Sequence, residues 1–213
     1  MKSNPIYQTL TTYIVDDDDA VRDALSLFLG VNDIQHETFT SADAFFEAYD
    51  SQQQGCLILD VRMPGMDGLA LQQKLKTLLS QLPIIFISGH GDIPMAVEAV
   101  RHGALDFMRK PIKQALLLKR IDEAYHRVIE QQQNTSELHQ HANHYQLLTK
   151  REREIFELVC DGASNKLIAS DLSISERTVE VHRSNVMQKM SVKNLPEMVK
   201  IKMMLDQAKR FPA

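Results

Sequence analysis

Five short apolar runs between residues 12 and 108 are each followed by a segment of helical period, and this alternation limits the possible folds more than any other feature of the chain. The runs are TYIV (12–15), QHETFT (35–40), CLILD (56–60), PIIFIS (83–88) and ALDFM (104–108). Between them lie AVRDALSLFLG, ending at Gly30, SADAFFEAYD with Ser41 as its expected N-cap, LALQQKLKTLL and MAVEAVRHG. A long helical segment begins near residue 113. Strands that alternate with helices predict a parallel sheet with helices on both faces. In such a sheet a ligand site lies beyond the C-terminal ends of the strands. Those ends carry Asp16 and Asp17 after the first run, Asp60 after the third, Ser88 after the fourth and Lys110 shortly after the fifth. Polar groups from four separate segments should therefore meet on one rim.

The stretch YIVDDDDA (13–20) sets four carboxylates in a row after an apolar run. Crowded carboxylates repel one another unless a cation offsets them. Mg2+ suits such a place, because it takes hard oxygen ligands, often one or two carboxylates with waters and phosphate oxygens. A carboxylate is also a nucleophile in aspartyl-phosphate chemistry, and an incoming phosphoryl group needs positive charge around it. Lys110 is placed to supply an ammonium and Ser88 a hydroxyl. The alternative to a site is a set of ordinary strand-end polar residues. An enzymatic alternative, a metal-dependent phosphatase with Asp60 as nucleophile, calls for a general acid two residues later, where Arg62 stands.

After residue 126 the chain changes character. Residues 127–146 are rich in Gln, His and Asn, contain no Pro or Gly, and read as an interdomain linker with a helical option. His126, His139, His141 and His144 raise the thought of a metal, but no Cys or carboxylate cluster accompanies them. From Thr149 every segment has helical period. TKRE is a capping box, SNKLIASDL starts a short helix at Ser164, a third helix runs from about Glu176 to Met190, and NLPEMVKIKMMLDQAK gives a fourth. Winding 177–190 at 100° per residue groups Val179, Val186 and Met190 on an inner face, with His182 and Arg183 at its edges. Arg177, Val181, Ser184 and Gln188 fall opposite. A helix, a turn and a second helix of this kind can enter a DNA major groove, although a helical bundle that binds protein would show the same period.

Charge follows the division. Residues 1–130 hold 12 Lys and Arg against 18 Asp and Glu, a net of −6, and residues 131–213 hold 12 against 10, a net of +2. No apolar run is long enough to span a bilayer, and MKSNPIYQTLTT lacks the apolar core of a signal peptide. Cys56 and Cys160 each sit in an apolar segment, as reduced core residues of a cytoplasmic protein would.

The blocks IVDD, LILDVRMPGMDG, IFISGHGD and DFMRKP resemble, in order and spacing, the signature of bacterial two-component response-regulator receiver domains over roughly 10–130. SGHGDIPMAVEAVRHGALDFMRKP resembles the FixJ-type branch in particular. LTKREREIFELVCDGASNKLIASDLSISERTVEVHRSNVMQKMSV resembles the LuxR/NarL-type DNA-binding domain. The resemblance implies an α/β receiver at 1–126, with a flavodoxin-like (CheY-like) five-stranded parallel sheet. It implies an all-α four-helix helix-turn-helix domain at 147–213. In that reading Asp16 and Asp17 hold Mg2+ together with Asp60 and the backbone carbonyl of Arg62. Asp60 accepts the phosphoryl group from a cognate sensor histidine kinase, Ser88 and Lys110 bind its oxygens, and Phe107 is the switch aromatic. Asp18 and Asp19 are left to begin the next helix, where carboxylates face the positive end of its dipole. Arg62 and His90 resemble positions that tune loss of the phosphoryl group, and Lys110-Pro111 is a candidate cis peptide. Glu180, Val181 and Ser184 resemble groove-facing positions, and Glu180 and Ser184 depart from the Lys common there. Asn165, Lys166, Arg177, Thr178, Arg183 and Lys189 complete the implied DNA contacts. The implied function is transcription regulation by a protein that is not an enzyme. Its phosphorylation would drive homodimer formation through a face spanning roughly 93–125. Double-stranded promoter DNA is the implied target, RNA polymerase is open as a further partner, and no membrane is involved.

Overall fold

The expected alternation takes the form β1 (Thr11–Val15), α1 (Asp19–Val31), β2 (His36–Phe39), α2 (Ala42–Ala48), β3 (Gly55–Asp60), α3 (Gly68–Thr77), β4 (Ile84–Ser88), α4 (Ile93–Arg101), β5 (Asp106–Arg109) and α5 (Gln114–Gln146). Then follow α6 (Lys150–Cys160), α7 (Asn165–Leu172), α8 (Glu176–Lys189) and α9 (Leu195–Arg210). The computed structural model describes residues 9–89 and 93–210. Contacts divide the chain into two units, Met1–Gln131 and Gln132–Ala213.

The first unit is a five-stranded sheet in the order β2-β1-β3-β4-β5, with every pairing parallel. β3 and β4 are buried at every position because helices cover both faces, whereas the edge strand β2 is buried nowhere along its length. The two-residue period of a strand sorts its side chains between two cores. Leu57, Leu59 and Phe86 join Phe45, Leu71 and Leu75 in one, and Cys56, Ile58, Ile85 and Ile87 join Leu25, Leu29, Leu117 and Ile121 in the other. Each fully buried Leu, Ile or Phe contributes about 1.5–3 kcal/mol. The second core also holds a polar link. The Thr12 hydroxyl and the Tyr125 hydroxyl lie 2.8 Å apart, fastening α5 to β1.

β1 has β2 on one side and β3 on the other, so the strand order reverses direction between β1 and β3. Crevices at such switch points are where ligands bind in open α/β sheets. Side-chain caps bring the helices in at that end: Asp18 accepts from the Ala20 N–H, Ser41 from Ala44 and Asp67 from Ala70. Gly68, at the start of α3, is required there. A Cβ on it would lie 2.2 Å from the Asp60 carbonyl oxygen, so any side chain would displace the end of β3.

In the second unit α6 to α9 surround a core of Ile155, Phe156, Val159, Ile168, Val179, Val186, Met190 and Ile201. The stretch 127–146 is helical, being the later part of α5. It is also more than a spacer, because Leu138, Ala142 and Tyr145 pack against this core. Tyr145 donates to Glu157 Oε1 at 3.1 Å, and its ring meets Phe156 edge-on at 5.4 Å. Three anchors spaced four and three residues apart are enough to bind one helix face, and they are easily lost among the polar residues around them. Among the described residues no helix is long and apolar enough to cross a membrane.

Candidate functional site

β1 delivers Asp16 to the rim, and the fold buries it completely. Asp60, the last residue of β3, is 5% exposed and stands across the switch point. Two buried carboxylates this close need a cation. Lys110 supplies it: Nζ donates to Asp16 Oδ2 at 2.7 Å and lies 2.8 Å from Asp60 Oδ1. The Lys110 backbone N–H donates to the Ser88 carbonyl at 2.8 Å, and its peptide to Pro111 is cis. Ser88 is buried at the end of β4. Asp60, Ser88 and Lys110 thus meet as the strand ends predicted, with Asp16 behind them.

Burial pushes the Asp60 carboxyl above the ordinary carboxylate range, helped by the neighbouring Asp16, and Lys110 and the Arg62 N–H offset only part of this. Burial opposes the charge on Lys110, but its bonds to Asp16 and Asp60 more than compensate, so the ammonium is held more firmly than usual. The Arg62 N–H donates to Asp60 Oδ2 at 2.8 Å, while its exposed side chain reaches the Met95 sulfur at 3.9 Å. Asp17 is exposed beside Asp16, Asp18 caps α1 and Asp19 is its first residue. Phe107 is half-buried against the first core, its ring centroid 6.4 Å from that of Phe86. His90 lies outside the described residues.

Among the described residues no three His, Cys, Asp or Glu side chains gather as a metal cage. Mg2+ rarely uses one. It is held by one or two carboxylates with waters and phosphate oxygens, and the donors on this rim are all hard oxygens. The residues present fit that ion.

The exposed helix sorts as its period requires. Val179, Val186 and Met190 are buried, while Arg177, Glu180, Val181, Ser184 and Gln188 are exposed. Val181 is 55% exposed on the outer face of the helix. Lys166 is exposed on α7, and Thr178 shares a hydrogen bond with the Ser175 hydroxyl at 2.8 Å. Two expected contacts are occupied internally. Arg183 donates to Asn165 Oδ1 at 2.8 Å, tying α8 to α7. Lys189 donates to the buried Glu152 at 2.6 Å, so its charge is committed to the scaffold rather than offered outward.

Glu152 also completes the capping box of α6 with Thr149. Burial raises its carboxyl, but Lys189 and the two Thr149 bonds outweigh that and hold it below the usual value. A depressed carboxyl stabilises the fold at pH above its ordinary pKa, and the gain is lost as pH falls through the lower folded value. Glu152→Gln should therefore cost the second unit about 1.5–3 kcal/mol at pH 7. The gap from wild type should close below about pH 4 in a denaturant series.

Sequence reasoning missed Arg22. It is 8% exposed, its Nη1 donates to the Asp16 carbonyl at 2.6 Å, and it also pairs with Asp19. The signal was its position three residues after Asp19 on one helix.

Comparison with known proteins agrees with both halves of the geometry. Residues 12–122 match the response regulator receiver domain, and residues 146–202 match the bacterial regulatory proteins of the luxR family. The chain is 45% identical to the response regulator protein TmoT of Ectopseudomonas mendocina over 194 residues, 91% of this chain and 88% of that one. It is 40% identical to the transcriptional regulatory protein FixJ of Rhizobium meliloti over 191 residues, 90% and 94% of the two chains. The structure of the response regulator StyR superposes with a TM-score of 0.78 at 40% identity, covering 92% of this chain and 98% of that one. Full-length FixJ from B. japonicum does so with a TM-score of 0.58 at 38% identity, covering 92% and 97%. These are regulators and not enzymes, so the phosphatase alternative falls. The luxR-family match likewise turns the C-terminal helices from a generic bundle into a DNA-binding domain. The acidic rim and the exposed helix thus have one common explanation: this chain belongs to the bacterial response regulators that join a receiver domain to a LuxR-family DNA-binding domain.

Proposed function

We propose that Asp60 takes a phosphoryl group from the phosphohistidine of a sensor kinase, and that the modified receivers pair two chains on double-stranded promoter DNA. The observation that carries this reading is the Lys110 ammonium bonded to both Asp16 and Asp60 at the switch point. An Asp60 oxygen attacks phosphorus, the P–N bond to the kinase imidazole breaks, and its electron pair stays on the ring nitrogen. Negative charge arriving at two carboxylates must be neutralised for this to proceed. Lys110 can turn from the Asp60 carboxylate to a phosphoryl oxygen while keeping Asp16. The Ser88 hydroxyl takes another oxygen, and Phe107 follows it inward. Mg2+, held by Asp16, Asp17, Asp60 and the Arg62 carbonyl, supplies further positive charge when bound.

Pairing through the 93–125 face is favoured by exposed Ile93, Val97 and Val100 on α4 with Leu116 on α5. Two chains then offer two reading helices to paired half-sites. Phosphoryl supply from a kinase and a chromosomal target put the protein in the cytoplasm. Arg177 and Lys166 are exposed cations suited to phosphates, while Glu180, Val181 and Ser184 are suited to base edges.

Fluorescence anisotropy on a duplex selected from a random-sequence pool, across a salt series, tests this. Acetyl phosphate with Mg2+ should tighten binding by the full-length protein. Arg177→Ala should weaken it and reduce the salt slope by about one. Lys189→Ala should leave the slope unchanged, because that charge faces Glu152. Binding indifferent to the phosphodonor would contradict the switch, and an equal slope change from Lys189→Ala would contradict the assignment of contacts.

A further inference from the structure

Every polar atom of Asp16 is bonded, and its carbonyl is held by a side chain from outside the acidic rim. The Asp16 N–H donates to the Phe39 carbonyl at 3.3 Å. Its Oδ1 accepts from the Asp18 N–H at 3.0 Å and its Oδ2 from Lys110 at 2.7 Å. Its carbonyl has no partner in the secondary structure. Pairing of β1 with β2 and β3 ends at Val15, and the helix N-cap is Asp18. A buried carbonyl left without a donor is costly and rare. Arg22 supplies the donor: Nη1 lies 2.6 Å from the Asp16 carbonyl oxygen. The same guanidinium pairs with the exposed Asp19, so one fork grips both ends of the acidic run. Lys110 approaches from the carboxylate side, whereas Arg22 approaches from the backbone side.

The Asp16 carbonyl belongs to the rigid peptide plane that joins Asp16 to Asp17. Fixing that oxygen fixes the plane, and with it the direction in which Asp17 leaves the turn. We infer that Arg22 is a positioning residue for the acidic pair, holding the Asp16–Asp17 peptide so that the Asp17 carboxylate stands ready for Mg2+. The inference rests on the proposal that Mg2+ binds this rim. Arg22 touches neither the ion nor the phosphoryl group, so its loss should act on how much Mg2+ is needed and not on the chemistry at saturation. Partners of metal ligands commonly act in this way, changing affinity by about 10–100-fold when removed. Lys at this position would keep the charge but could not hold carbonyl and carboxylate together, because it lacks the planar fork.

The test is a MgCl2 titration of the thermal unfolding midpoint of the full-length, unphosphorylated protein. Wild type should be stabilised by Mg2+ with a defined half-saturating concentration. Arg22→Ala should raise that concentration by about 10–100-fold. Arg22→Lys and Asp19→Ala should raise it by less, in the same direction. A purely structural Arg22 would lower the metal-free midpoint and leave half-saturation where it was. If Arg22→Ala does not fold, Arg22→Lys and Asp19→Ala decide. Unchanged half-saturation in both, with wild type responding, overturns the inference. A wild type indifferent to Mg2+ overturns the metal reading and this inference with it.

Discussion

Asp60→Asn should abolish phosphodonor-dependent dimer formation and the accompanying gain in DNA affinity. The amide oxygen is a poor nucleophile, and among the described residues no other carboxylate is similarly placed. Asp16 is buried with both oxygens already bonded, to the Asp18 N–H and to Lys110. Asp17 is exposed but makes no pair with Lys110 in this structure. The substitution keeps the side-chain volume, and Lys110 keeps Asp16 as a partner, so the fold should survive. Sedimentation with acetyl phosphate and Mg2+ should then show wild type moving toward dimer and the variant remaining as it was. Equal dimer formation by both would remove Asp60 from the mechanism.

Lys110→Met should be the most destabilising single change at the rim. Lys110 is the shared partner of side chains that are 1% and 7% exposed. Removing one member of a buried charge pair typically costs about 3–5 kcal/mol, because the remaining charge is stranded. Here two charges of the same sign would be stranded facing each other. Losing Lys110 removes the main group that holds the Asp60 carboxyl down against burial and Asp16, so Asp60 would rise further and the unfolded chain would ionise first as pH increases. Stability would thus fall as pH climbs above about 4 and recover on acidification. Urea unfolding of Lys110→Met at pH 7 and pH 5 should show this slope, and Asp16→Asn on the same background should regain part of the loss. A Lys110→Met protein as stable as wild type at pH 7 would mean that the ion pair does not hold the rim together.

The rim was readable because its residues sit at the ends of strands, and strands buried on both faces announce themselves as unbroken apolar runs. CLILD and IIFIS are the plainest cases, and both strands are wholly buried. The edge strands were less clear. QHETFT carries few apolar residues because β2 is half solvated, and β5 begins two residues later than its apolar run. Pairings across the chain leave no mark on one helix. Lys189 has the helical position of a DNA contact, and nothing on its own helix marks its bond to Glu152, 37 residues away. The packing of Leu138, Ala142 and Tyr145 was hidden in the same way, since the core they meet lies on other helices. Arg22 stood in view at helical spacing from Asp19, but the carbonyl it serves has no side-chain signature.

Asp60, a buried carboxylate at the β1–β3 switch point, is the proposed phosphoryl acceptor. Mass spectrometry of the full-length protein after incubation with acetyl phosphate and Mg2+, with the modified peptide sequenced, tests it most directly. One added phosphoryl group on Asp60, absent when Mg2+ is chelated, is the predicted result. A protein that stays unmodified with Mg2+ present, or one that carries the group on a different side chain, would contradict it.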